Sequence, residues 1–85
     1  MNAEDRVIAL HVRHAFAKSP LDIGELIISC RSGTVELDGK IKRPRDVAGA
    51  KGINLNRELE ILKQLARNVH GVKGLYADRV RIIDS

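Results

Sequence analysis

Eighty-five residues, 44% apolar and 31% charged, suffice for one aliphatic core and predict a single domain over residues 1–85. A lone cysteine, Cys30, excludes an internal disulfide and any Cys-x-x-Cys metal or redox motif. The net charge of +4 resides in residues 40–52, KIKRPRDVAGAKG, where Lys40, Lys42, Arg43, Arg45 and Lys51 face one acid, Asp46, and the rest of the chain is neutral.

Taken in chain order, Asp5 is predicted to cap a first helix whose apolar stripe is Val7, Ile8, Val12, Ala15 and Phe16. Ser19-Pro20 ends it, because the residue before proline is pushed out of the helical region. Leu26 to Arg31 reads as a strand, with Leu26, Ile28 and Cys30 on one face and Ile27, Ser29 and Arg31 on the other. Ser32-Gly33 is a tight-turn signal. Thr34 to Ile41 then alternates, with Val35, Leu37 and Ile41 against Thr34, Glu36 and Asp38, which predicts a β-hairpin.

The alternation stops at Lys42, and Pro44, Gly49 and Gly52 predict a long basic loop over about residues 42–56, with room for one helical turn at residues 45–48. Asn56 is predicted to cap a second helix of roughly fourteen residues, with Leu59, Leu62, Leu65, Ala66 and Val69 as its stripe and Gly71 as its left-handed stop. Tyr76 to Ile83 is predicted as one last strand, Val80 and Ile82 on one face and Arg79 and Arg81 on the other. The order αββαβ predicts an α+β two-layer sandwich: two helices on one face of a three-stranded mixed sheet, with the first strand central. The uncovered face would carry Glu36 and Asp38 on one edge strand and Arg79 and Arg81 on the other.

Two stretches resemble a known family. Ser32-Gly33-Thr34-Val35-Glu36-Leu37-Asp38-Gly39-Lys40-Ile41 is similar to the hairpin of BON domains, and His70-Gly71-Val72 followed by Tyr76 to Ile83 is similar to their closing helix, Gly-Val and final strand. The resemblance implies a non-catalytic binding module of bacterial envelope proteins, a family associated with attachment to phospholipid membranes. The sequence departs from that pattern in its longer 42–56 connection and in showing no export signal. As given, the chain is predicted to be cytoplasmic, or periplasmic if a leader has been removed.

A second motif points elsewhere. Gly49-Ala50-Lys51-Gly52 resembles the Gly-x-x-Gly loop of KH domains, which clamps a nucleic-acid backbone. Glycines admit phosphate close to backbone amides, but one Phe and one Tyr give no interleaved aromatics for base stacking.

The binding residues predicted from charge are Lys40, Lys42, Arg43, Arg45 and Lys51, joined by Arg79 and Arg81, docking an anionic surface or a protein partner. A solvated loop is the simpler alternative. His11 and His14 are three apart on the first helix, but a third ligand is missing from the pattern, and no metal or cofactor is predicted. No P-loop, Gly-x-Ser-x-Gly or paired-carboxylate motif is present, so no catalysis is predicted.

Overall fold

The computed structural model describes residues 3–44 and 49–84. Helix α1 spans Ala3–Phe16, with Glu4 and Asp5 in its first turn and Arg13 and His14 in its last, the arrangement its dipole favours. Ile8, Val12 and Phe16 are buried at four-residue spacing and Ala15 is half-buried. Val7 departs from the predicted stripe. It falls on the opposite side of the helix, and with Leu10 it faces solvent.

Strands β1 (Leu26–Arg31) and β2 (Thr34–Lys42) form the predicted hairpin, in antiparallel register from Leu26↔Gly39 to Arg31↔Thr34. Both residues of its two-residue turn are left-handed, Ser32 at φ 50° and Gly33 at φ 82°, as a primed turn requires to match strand twist.

Asp5 does not cap its own helix but the turn of the hairpin. Its carboxylate accepts from the amides of Ser32 (2.9 Å) and Gly33 (3.1 Å) and from the Cys30 thiol (3.4 Å). It is the buried acid of the described chain. The amide bonds from Ser32 and then Gly33 hold its pKa below the ordinary aspartate value, against the opposing pull of burial. Cys30 is a core residue; burial first, and then the Asp5 carboxylate, push its thiol up.

A lowered folded-state pKa means that this stabilisation is present above the unfolded aspartate value, about 4, and is lost as pH falls through the folded value. Asp5→Asn replaces one of the two accepting oxygens with an NH2 donor, which then faces the amide of Ser32 or of Gly33. It is therefore expected to lower the melting temperature at pH 7, with the gap from the parent closing as pH falls through the lowered folded-state value. Parallel thermal melts across that range check this, and a gap that stays constant with pH refutes it.

Helix α2 spans Leu55–Arg67. Its cap is Asn54 rather than the predicted Asn56, since the Asn54 side chain accepts from the Arg57 amide at 3.1 Å. Leu59, Leu62 and Ala66 are buried, with Leu65 and Val69 half-buried, so the predicted stripe stands. The helix ends at Asn68. Gly71 is left-handed, at φ 94°, but lies three residues beyond and packs against Ile8.

The last strand is two strands, β3 (Gly74–Tyr76) and β4 (Arg81–Ile83), and among the described residues the sheet therefore has four members instead of three. Both pair with β2 in parallel, but out of step: Thr34 meets Gly74, forty positions on, whereas Lys40 meets Arg81, forty-one on. One extra residue is accommodated by the Ala77–Val80 turn, closed by the Val80 amide on the Ala77 carbonyl.

The central strand is β2, not the predicted β1. The hairpin occupies one side of β2 and the return from α2 the other, and β2 carries the deepest strand residues, Val35, Leu37 and Ile41. A crossover landing on the neighbouring position leaves no gap for β1 to fill. Ile8, Val12, Phe16, Leu59, Leu62 and Ala66 from the helices meet Leu26, Cys30, Val35, Leu37 and Ile41 from the sheet in one core. The α+β two-layer arrangement follows, with the other sheet face left to solvent.

Candidate functional site

The uncovered sheet face is built by alternation. Along β2, residues Thr34, Glu36, Asp38, Lys40 and Lys42 point away from the core because Val35, Leu37 and Ile41 point into it. Register then places Ser29 and Tyr76 on either side of Glu36, Ile27 beside Asp38, and Arg81 beside Lys40. Asp78 and Arg79, in the turn between β3 and β4, border this face beside Glu36 and Asp38. Two adjoining open clefts result, one lined by Glu36, Leu37, Asp38, Tyr76, Asp78 and Arg79, the other continuing along Lys40 and Arg81.

Of the predicted binding residues, the structure brings three together: Lys40, Arg79 and Arg81, all exposed. Glu36 and Asp38 stand directly beside them rather than on the opposite edge, a consequence of β2 being central. Two large apolar side chains share the face, Ile27 at 59% exposure and Tyr76 at 61%. Strand alternation in the sequence exposes Ile27, but nothing in the sequence sets Tyr76 beside Glu36; only pairing does.

The remaining predicted residues divide. Lys42 is ion-paired with Glu25. Lys51 is exposed on a 3-10 turn, Ala50–Gly52. Arg45, and the helical turn predicted for residues 45–48, lie outside the described residues.

Arg43 is a tether. Its guanidinium donates to the carbonyls of Ala50 (2.5 Å) and Ile53 (2.8 Å) and to Asp84 (2.7 Å), pinning the segment before α2 to the last strand's end. The same bond to Arg43 holds Asp84 below the usual aspartate range. Arg43→Ala is expected to free this segment without unfolding the core. Amide exchange at Gly52 and Ile53, whose amides donate to Gly49 and Ala50, should rise about tenfold or more while core amides keep their protection. Equal acceleration throughout the chain would refute the tether.

The Gly49–Gly52 motif is positioned otherwise than the KH resemblance implies. Ala50 is buried, Arg43 occupies two of the carbonyls around it, and two residues, Ile53 and Asn54, separate it from α2. His11 and His14 are both exposed on α1, and among the described residues no three metal-ligating side chains converge. Among those residues, too, no helix is long and apolar enough to cross a membrane.

No protein-family model matches the sequence, and no curated protein matches it. A solved structure does match. The fold is similar to that of CdsD, a structural protein of the type III secretion system of Chlamydia trachomatis. The superposition has a TM-score of 0.64 and covers 95% of this chain at 12% identity. This chain spans 32% of the CdsD chain, about a third of its length, so the likeness is one of fold.

Proposed function

We propose that this chain is a non-catalytic docking module of the BON type, which engages a protein surface through the uncovered face of its sheet. The observation that carries this reading is the composition of that face: Lys40, Arg79 and Arg81 beside Glu36, Asp38 and Asp78, with Tyr76 and Ile27 exposed among them. Charges of both signs around accessible apolar side chains suit a protein surface, where each sign finds its opposite and the apolar groups leave water. Phospholipid headgroups, the other partner that the BON resemblance implies, would meet three carboxylates on the same face. The four-residue glycine motif gives nucleic acid little purchase with Ala50 buried. A fold similar to that of a secretion-system structural protein supports an assembly role over a catalytic one.

The test uses a photo-reactive residue at position 76, compared with one at Gln64, exposed on α2. In the cells that express the chain, a discrete protein adduct is expected from position 76 and none from position 64. Purified protein is expected to bind neither short RNA nor vesicles of anionic or neutral phospholipid at low salt. Salt-sensitive binding to anionic vesicles that is lost in Lys40→Glu/Arg81→Glu would overturn the reading in favour of a membrane. Adducts from both positions alike, or from neither, would also overturn it.

A further inference from the structure

Along β2 the outward charges of this face are sorted by sign, while Arg79 lines both clefts and Arg31 lies outward at the hairpin end of β1. Glu36 and Asp38 occupy the half of β2 nearer the hairpin turn, with Asp78 beside them, while Lys40 and Lys42 occupy the other half, with Arg81 beside Lys40. Successive outward residues on a strand lie about 6.6 Å apart, so the change of sign falls within one such step, between Asp38 and Lys40. No ion pair joins the acidic group to the basic one: of the described ion pairs, only that of Lys42 with Glu25 touches either group.

A strand whose outward charges run Glu36, Asp38, Lys40, Lys42 is complementary to itself after a half-turn. The axis runs across the strands between Asp38 and Lys40 and lies in the plane of the face. Rotation about it lays Asp38 of one copy over Lys40 of the other, Glu36 over Lys42, and Asp78 over Arg81. Tyr76 comes over Ile83, which is half-buried on β4, and the interface gains an apolar contact outside its charged centre. Every contact occurs twice, which is the property of an isologous twofold interface.

Resting on the reading of this face as a protein-docking surface, we infer that its partner is a second copy of this chain, packed face to face about that axis. The uncovered sheet face becomes the middle of a four-layer dimer, with the helices outermost. A partner of uniform charge would oppose one half of the face, whereas a second copy satisfies both.

The experiment is a charge exchange read by sedimentation equilibrium. The wild-type chain is expected to be a dimer at 50 mM salt and to dissociate at 500 mM, because its central contacts are ionic. Lys40→Glu/Arg81→Glu and Glu36→Lys/Asp78→Lys each set like charge on like, and each is expected to weaken the homodimer about tenfold or more. Mixing the two variants in equal amounts restores opposite charges across the interface, and a heterodimer of near wild-type affinity is expected. These positions are exposed and make none of the described ion pairs or side-chain hydrogen bonds, so far-ultraviolet circular dichroism and melting temperature should be unchanged. A wild-type chain that stays monomeric at low salt overturns the inference, as does a dimer that persists in both variants or variants that fail to pair on mixing. A monomeric chain whose position-76 adduct contains a different protein sinks this inference while leaving the docking reading intact. A monomer with no adduct sinks both.

Discussion

Replacing Gly39 with alanine is expected to be the most damaging single-methyl change in the molecule. Gly39 lies inside β2 at φ 86°, and a Cβ built there would sit 2.2 Å from the backbone carbonyl oxygen of Glu25. That oxygen cannot move aside, because it accepts the Lys40 amide at 3.1 Å. The left-handed conformation alone costs a side-chain-bearing residue about 1–2 kcal/mol. Forcing β1 and β2 apart at Leu26 should bring the total to about 3 kcal/mol or more, a fall in melting temperature of about 15 °C for a domain of this size. Gly49 supplies the control. It has a similar φ of 80° but nothing within 4 Å of its would-be Cβ, so Gly49→Ala should cost only the conformational part, about 1 kcal/mol. If thermal melts give the two variants the same loss, the close approach of Glu25 does not have the consequence assigned to it. Since Lys40 follows directly, Gly39→Ala should also weaken dimerisation at temperatures where the fold survives.

Phe16→Ala is the second large effect expected. Phe16 is the single phenylalanine of the chain and is wholly buried at the end of α1, where its carbonyl also accepts the Ser19 amide at 2.9 Å. Removing a buried phenyl ring costs about 3–5 kcal/mol, from lost transfer energy and from the cavity left behind. A domain of this length has a total stability of about 4–13 kcal/mol, so the variant should lose from about a quarter of it to all of it. Phe16→Leu, which refills most of the volume, should cost less than half as much. Val7→Ala, on the solvent side of the same helix, should stay within about 0.5 kcal/mol of the parent. Urea titrations of the three variants give the comparison, and a Val7→Ala loss comparable to that of Phe16→Ala would mean that the helix packs by a different face.

The contrast between those two residues shows how far the sequence could be read. Apolar spacing placed Ile8, Val12 and Phe16 correctly, because burial at four-residue spacing needs no knowledge of partners. It also admitted Val7, because a stripe read from hydrophobicity alone has no sharp edge. The hairpin was fully legible: Ser32-Gly33 and strict alternation fix turn and register together. The split between β3 and β4 left no mark, since Ala77 to Val80 contains neither glycine nor proline, and the slip exists only relative to β2. The place of β2 in the sheet was hidden for a related reason. Connection order limits topology without choosing which neighbour a returning strand takes.

The site was legible as residues and not as a surface. Lys40, Arg79 and Arg81 were identified from charge, and Glu36 and Asp38 from alternation. Their meeting on one face depends on pairings between positions about forty residues apart. Arg43 was counted with the basic group because sequence shows its charge and not its neighbours. Its three acceptors come from residues 50, 53 and 84, and only folding brings them within reach of one guanidinium.

The single-residue slip between β3 and β4 has a consequence for misfolding as well. Unpaired strand edges are where one chain recruits another into fibres, and a flank that can be copied must be long and regular. On the β3–β4 side the edge is cut into two three-residue pieces out of phase with each other, too short and too kinked to serve as a template. The opposite side presents β1, six residues without interruption and with Ile27 bare on its outer face, shielded at one end where Arg13 reaches the Leu26 carbonyl. Aggregation under heat or acid should therefore nucleate at Leu26–Arg31.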